Sequence, residues 1–289
     1  MNIALTGSSG LIGSLLIKDL EAIGHKVLCI SSSCSSHESN KYLYDEILSG
    51  KHILEVDCLM HLASLNSELK ELDIDKEVAL SVQAIKCMDI LKCNNIIFFS
   101  SIKVYGDNSF YYQQFNEDSP LNPVCFYGIA KKKCEETIAK LVLEQQLNFT
   151  IFRLPPLLIN HSKSNLGKLF QLAERKWPFP SFRSGDANLR SFLPYSLLKE
   201  VIYKTLDGSS NPQNQIFNLT SSRAISTNAL FRSIGDSVGK KIKIIYLPNF
   251  LFQLMMKVGK LELLLCRLYG NFDISNAKLK KEFNISDES

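Results

Sequence analysis

Short apolar runs alternate with amphipathic stretches through the first half of the chain. Ile3–Leu5 is continuously apolar, and Leu11–Ile23 repeats its hydrophobic positions at helical spacing. Lys26–Ser31, entered through Gly24-His25, and Cys58–Ala63 read as further buried strands. Val78–Lys92 has a helical pattern, Ile96–Ser100 is again a strand, Tyr127–Gln146 is a long helix and Thr150–Leu154 a strand. Strands that are apolar on both faces and separated by helices predict a parallel sheet covered on both sides, a doubly wound α/β fold. The interval 32–56 is short and polar, which predicts an abbreviated strand–helix unit there.

After Pro155-Pro156 loops rich in Asn, Ser, Pro and Gly alternate with short helices. The expected division is a sheet domain over 1–157 and a small C-terminal lobe over 158–289, with 195–220 returning to the main sheet through a strand at Ile216–Leu219. The most apolar late segment, Phe250–Tyr269, is interrupted by Lys257, Lys260, Glu262 and Arg267. That pattern predicts an amphipathic helix pair, and no integral membrane segment is expected.

Composition narrows the function classes. The 289 residues are 45% hydrophobic and 21% charged, as in soluble globular proteins. A net charge of +4 without a basic block speaks against nucleic-acid binding. Eight cysteines are scattered with no C-x-x-C pair, which suits reduced, buried thiols in the cytoplasm. The first strand begins at Asn2, which leaves no room for a signal peptide. His25, His37, His52 and His161 lack metal-ligand spacing, so no metal site is expected. His61 lies within an apolar strand and reads as a packed core histidine.

The stretch IALTGSSGLIGSLL carries the first candidate chemistry. A strand runs into Gly7-x-x-Gly10-x-x-Gly13 and a helix follows, the context in which this spacing binds a dinucleotide. Gly7 allows the sharp turn, Gly10 the approach of a pyrophosphate, and Gly13 close packing of helix on strand. Ser9, Leu11 and Ile12 sit among these glycines, where the helix N-terminus offers N–H groups and the positive end of its dipole. Leu62 and Ala63, at the end of a neighbouring strand, complete the expected cofactor contacts together with Ser31 and Ser32.

Tyr127-Gly-Ile-Ala-Lys131 opens the long helix, and residues four apart share a helix face. A tyrosine alone is a poor base at neutral pH; a lysine ammonium nearby, with a positive nicotinamide, favours its phenolate. Ser100 and Ser101 end a parallel strand, where ligands bind in doubly wound sheets, and a serine there can hydrogen-bond a reacting hydroxyl or carbonyl.

With these residues the chain resembles the extended short-chain dehydrogenase/reductase family, in its nucleotide-sugar epimerase/dehydratase branch. The resemblance rests on VDCLMHLAS at 56–64, FFSSIKVYGD at 98–107, NEDSPLNPVCFYGIAKKKCEE at 116–136 and FRLPP at 152–156. It implies a Rossmann-like fold with a small substrate-binding lobe, and a Ser101–Tyr127–Lys131 triad. In that triad the tyrosine is the acid/base, and the lysine also holds the nicotinamide ribose. Ser101 matches better than Ser100 because it stands three residues before Val104. Ser101-Ile102-Lys103 replaces the Thr-Asp-Glu of the family's dehydratases, which disfavours sugar dehydration. The wording SSIKV looks closest to bacterial polysaccharide-pathway enzymes, UDP-sugar 4-epimerases and 4-keto-sugar reductases. By the same resemblance, in KSNLGKLFQLAERKWPFPSF and NLRSFLPYSLLKEVI, Asn165 touches the substrate diphosphate. The stretch Trp177–Phe182, with Phe179, frames the uracil and Arg190 pairs with phosphate, Arg267 being a second candidate. A homodimer through the helices at 78–92 and 127–146 is implied as well.

The departures are local. Ile30-Ser31-Ser32-Ser33 carries no acidic residue for an adenosine ribose and no basic one for a phosphate, so NAD is expected with NADP left open. Leu158-Ile159-Asn160-His161 replaces the family's tyrosine–glycine–proline turn, and Ala130 stands where many relatives have serine. A frequent helix asparagine near position 79 is missing, replaced by Ala79 or a neighbour. Glu135, four residues after Lys131, is expected to pair with it or with a neighbouring lysine at the surface. Hydride transfer at C4 of a UDP-hexose or UDP-N-acetylhexosamine is the expected activity. A non-catalytic dinucleotide-binding redox sensor or structural subunit is the alternative.

Overall fold

The computed structural model describes the chain except for residues 33–39, 51–54, 66–68, 163, 165, 211 and 287–289. It divides into two compact units, Met1–Gly106 with Leu121–Leu154 and Lys199–Phe217, and Asp107–Pro120 with Pro155–Leu198 and Asn218–Ser289. Residues 107–120 therefore belong with the second unit, although the sequence reading kept them with the first.

The first unit is built on seven strands. They are β1 (Asn2–Thr6), β2 (Lys26–Ser31), β3 (Lys41–Leu43), β4 (Cys58–His61), β5 (Asn95–Ser101), β6 (Asn148–Leu154) and β7 (Gln215–Asn218). Their order is β7-β6-β5-β4-β1-β2-β3. Every neighbouring pair from β3 to β6 is parallel. The order reverses between β1 and β4, which makes the carboxyl ends of these two strands the topological switch point where doubly wound sheets bind ligands. Helices α1 (Leu11–Ala22), α2 (Tyr44–Leu48), α3 (Ile74–Ile90) and α4 (Phe126–Glu144) make the crossovers. β3 and α2 are the abbreviated unit that the polar interval predicted.

Ala84, Cys87 and Met88 of α3 and Cys134, Ile138 and Val142 of α4 join Leu59, Ile96, Phe98 and Ile151 in one core. Each large side chain buried this way contributes on the order of 1.5–3 kcal/mol. α3 starts four residues earlier than its apolar period suggested. Asp75 and Glu77 occupy its first turn, where a carboxylate favours the positive end of the helix dipole.

The second unit has short two-stranded pairings, Leu157–Leu158 with Leu193–Pro194, Phe179–Ser181 with Ile244–Tyr246, and Gln114–Phe115 with Asp273–Ile274. One of its cores gathers Phe170, Ala173, Phe192, Leu230 and Ile234. The expected amphipathic pair is present as the helices Asn249–Met255 and Gly259–Tyr269. Their inner faces bring Leu251, Phe252, Met255, Met256, Leu265 and Tyr269 around Phe182. Among the described residues no helix is long and apolar enough to cross a membrane. Seven cysteines are described and none is bonded to another; Cys34 lies outside the described residues.

Candidate active site

At the switch point the backbones of two loops almost touch. Gly7 follows β1 at φ +77°, in the left-handed region, and a Cβ on it would lie 2.7 Å from both the Ala63 nitrogen and the Leu62 carbonyl carbon. A Cβ on Gly13 would meet the Gly7 carbonyl oxygen at 2.3 Å, so only glycine lets α1 sit this close to the turn. Gly10, at the N-cap of α1, donates its N–H to the Gly7 carbonyl at 3.0 Å. No side chain caps α1 and no acidic residue sits in its first turn, so the N–H groups beginning at Leu11 and Ile12 are not met by a capping side chain at the positive end of the helix dipole. Ser9 belongs to the same turn. This cradle fits the pyrophosphate of a dinucleotide. Ser31 ends β2 half-buried and Ser32 is exposed beyond it; Ser33 lies outside the described residues.

The β1–β4 junction is locked by a buried polar chain. His61 is fully buried; its Nδ1 lies 2.8 Å from Thr6 Oγ1 and its Nε2 3.1 Å from Ser81 Oγ of α3. Its ring stacks on Phe98, with centroids 5.5 Å apart. Burial, and then the charge of Lys131, push its pKa down to about 3, so it is neutral at physiological pH. The Ala63 N–H donates to Thr6 Oγ1 at 3.2 Å, which holds the end of β4 against the end of β1. The expected core histidine is a structural fixture of the switch point.

Ser101 ends β5 and its Oγ accepts the N–H of Lys103, starting a single 3-10 turn over Ile102–Val104. α4 packs onto that turn through Gly128, where an added Cβ would lie 2.4 Å from the Lys103 carbonyl oxygen. Gly128, which sequence reasoning passed over, is what allows the Tyr127 end of α4 to approach the Ser101 end of β5. Ser100 turns the other way, and its hydroxyl donates to Glu135 Oε1 at 2.5 Å in the interior. Ser101 is accordingly the serine of the pair that is not engaged by Glu135.

Tyr127 is half-buried, and Lys131 Nζ lies 5.7 Å from the centre of its ring and 5.1 Å from that of Phe98. Lys131 is 2% exposed. Burial alone would pull its ammonium down. Tyr127 and Glu77, with Cys134, more than offset that and raise its pKa above the ordinary lysine value, so the side chain is charged at neutral pH. Its carboxylate partner is Glu77 of α3, Oε1 to Nζ 3.0 Å. Sequence reasoning noticed a missing asparagine near position 79 but did not identify Glu77, whose burial depends on contacts between α3 and α4.

The expected surface partner for Glu135 is wrong. Glu135 is buried and takes Arg153 of β6, Nη2 to Oε2 2.7 Å and Nε to Oε1 3.0 Å. Arg153 Nη1 also donates to the Tyr105 hydroxyl at 2.9 Å. On a 3.6-residue period Glu135 falls on the inner face of α4, where Ser100 of β5 and Arg153 of β6 both reach it.

Of the expected substrate residues, Ser101 belongs to the first unit, and Phe179, Arg190 and Arg267 to the second. Asn165 lies outside the described residues. Phe179 is buried and stacks on Phe231 with centroids 4.4 Å apart, whereas Trp177 beside it is 59% exposed. Arg190 is half-buried, with its guanidinium over the Phe192 ring at 5.3 Å. Burial lowers its pKa to about 10, against the pull of Asp107. Arg267 is exposed in the last turn of the helix Gly259–Tyr269.

Comparison with known proteins extends this picture. The family model described as NAD dependent epimerase/dehydratase family matches residues 3–176. A UDP-glucose 4-epimerase of Vibrio cholerae is 26% identical over 96% of this chain and 88% of its own. The fold is shared with a UDP-N-acetylglucosamine 4-epimerase from Bacillus cereus, at a TM-score of 0.78 and 16% identity over 100% of this chain and 94% of that one. It is also shared with a UDP-glucuronic acid 4-epimerase from Bacillus cereus in complex with NAD, at a TM-score of 0.71 and 16% identity over 99% and 93%.

Proposed function

The chain belongs to the NAD dependent epimerase/dehydratase family, and from that premise we propose that it moves a hydride at C4 of a UDP-hexose or UDP-N-acetylhexosamine, as a 4-epimerase or 4-keto-sugar reductase. The observation that carries this reading is the charged, buried Lys131 set 5.7 Å from the Tyr127 ring on the helix that packs on the Ser101 turn. UDP-glucose 4-epimerase is what the Vibrio cholerae relative is named, and the reading takes its substrate class from there.

A bound nicotinamide supplies the hydride acceptor in one direction and the donor in the other. Gly7, Gly10 and Gly13, with the N–H groups of Leu11 and Ile12, hold its pyrophosphate. Leu62 and Ala63 wall the cleft, and Ser31 and Ser32 meet the adenosine ribose. A serine hydroxyl can serve either cofactor, and with no arginine there for a 2′-phosphate the reading takes NAD with NADP left open. Tyr127 takes the proton from O4 as the alcohol is oxidised and returns it when the carbonyl is reduced. Ser101 donates a hydrogen bond to the same oxygen, steadying the charge that develops there. Lys131, fixed as an ammonium, stabilises the negative oxygen that Tyr127 carries once its proton has left. Arg190 is suited to the substrate diphosphate, because a guanidinium fork matches phosphate oxygens.

The test begins with the nucleotide that copurifies with the protein, identified by mass and absorbance. NAD retained without addition, followed by inversion at C4 of added UDP-sugars in the NMR spectrum, is the epimerase outcome. Oxidation of added NADH or NADPH only in the presence of a UDP-4-keto sugar is the reductase outcome. Tyr127→Phe should cut turnover by at least about 100-fold, the usual contribution of a positioned acid/base, while cofactor affinity stays within a few-fold. A protein that neither retains nor turns over nicotinamide nucleotides would sink the reading.

A further inference from the structure

The carboxylate of Glu77 does three things at once. Its Oε1 lies 3.0 Å from Lys131 Nζ, with the two side chains 1% and 3% exposed. The same oxygen accepts the Ser64 hydroxyl at 2.6 Å, and Oε2 accepts the Leu65 N–H at 2.8 Å. One side chain of α3 thus ties the segment after β4 to the charged end of a lysine on α4.

A buried ammonium without a counter-charge gives up its proton, because desolvation penalises only the charged form. The groups facing Lys131 are few. Tyr127 and Cys134 come from its own helix, Glu77 from α3, the neutral His61 from β4, and the Phe98 ring from β5. Glu135, one turn further along α4, is occupied by Arg153. Among these groups Glu77 is the one carboxylate in contact with Lys131.

We propose that Glu77 is a positioning residue of the active site, whose carboxylate keeps the Lys131 ammonium charged and fixed beside Tyr127. The inference rests on the reading of Tyr127 and Lys131 given above. It separates two tasks in the site. Lys131 acts on the tyrosine, and Glu77 maintains the charge with which it acts. The ties to Ser64 and Leu65 add a geometric consequence, since a shift of the segment after β4 would move the carboxylate and with it the lysine.

Titration of Lys131 in the cofactor-free protein tests this directly. With 13C-labelled lysine, its Cε resonance is assigned by its loss in Lys131→Arg and followed with pH in the wild type, Glu77→Gln and Glu77→Asp. The wild type should stay charged up to at least about pH 10, the ordinary lysine range. Glu77→Gln should titrate at least about one pH unit lower. Glu77→Asp, which keeps the negative charge, should fall closer to the wild type than Glu77→Gln does. A Glu77→Gln titration matching the wild type would overturn the proposal. If Glu77→Gln does not fold, the double variant Glu77→Gln/Lys131→Met decides. Recovery of a cooperative thermal transition would trace the defect to the uncompensated ammonium, and no recovery would reduce Glu77 to a packing residue and end the proposal. In the holoenzyme, the alkaline limb of kcat/KM in Glu77→Gln should move down by the same shift. A wild type without nicotinamide turnover would remove the proposed function, while the labelled-lysine titration would still decide the role of Glu77.

Discussion

A single imidazole shows how much of this fold depends on one protonation state. His61 uses both ring nitrogens inside the protein, toward Thr6 and Ser81, and its pKa falls from the ordinary value of 6.5 to about 3 because burial, then Lys131, disfavour the cation. The unfolded chain therefore binds this proton more readily than the folded one. Its contribution to stability is full above about pH 6.5 and is lost as the pH falls from there toward about 3, at up to about 1.4 kcal/mol per pH unit. His61→Gln keeps a donor and an acceptor but cannot titrate. Urea unfolding between pH 7 and pH 4, with the carboxylate background common to both proteins, should give a shallower loss for the variant; parallel curves would refute the assignment. At this scale the sequence was informative where function resides in one segment. Tyr127 and Lys131 lie four apart on one helix and could be paired on paper. Glu77 could not, because it is 54 positions away along the chain and meets Lys131 only once α3 and α4 are docked.

Elements are joined by a second buried network, centred on Glu135. It accepts Ser100 of β5 and the guanidinium of Arg153 of β6, while Arg153 continues to Tyr105 beyond the Ser101 turn. The helix that carries Tyr127 and Lys131 is thereby fastened to the two strands beneath it. Glu135→Gln removes the charge and leaves a buried guanidinium unmatched, which in comparable sites costs about 3–5 kcal/mol. The expected outcome is a matching fall in the urea-unfolding free energy of the variant. A change within the ±0.5 kcal/mol typical of surface substitutions would mean that the guanidinium finds water instead. The sequence misplaced this glutamate because helical spacing identifies near neighbours on one helix but not the strand under it. Helix and strand existence was nevertheless legible for the central strands of the first unit, whose runs are apolar, whereas β3 and α2 in the polar interval were foreseen only as an abbreviated unit. Boundaries were less so. The start of α3 was hidden by Asp75 and Glu77, whose charges break the apolar period while favouring the helix N-terminus.

The whole molecule raises the question of what covers the outer edge of α3 and α4. Their inner faces lie in the core, and Leu69 and Ile74 cluster with Ala130, packed by Tyr127 and Ile129, at the start of both helices. Next to these residues along the chain, Leu72 is 83% exposed, Val124 68% and Phe126 43%. Scattered apolar side chains are ordinary on a monomer, and exposed ones near the start of α3 and α4 are where a partner copy would bury surface. A net charge of only +4 sets no large self-repulsion against association. The family resemblance implied a homodimer through these same two helices. It follows that light scattering behind a sizing column should return twice the chain mass at micromolar concentration. Leu72→Glu/Val124→Glu should shift the population toward the monomer, because each carboxylate would have to be desolvated in the contact. Both substitutions lie outside the Ser101, Tyr127 and Lys131 positions, so cofactor affinity measured on the monomeric variant should separate loss of the dimer from damage to the site. A wild-type protein that elutes as a monomer across the concentration range would leave these three side chains without a partner copy and would remove the dimer from the account of this enzyme.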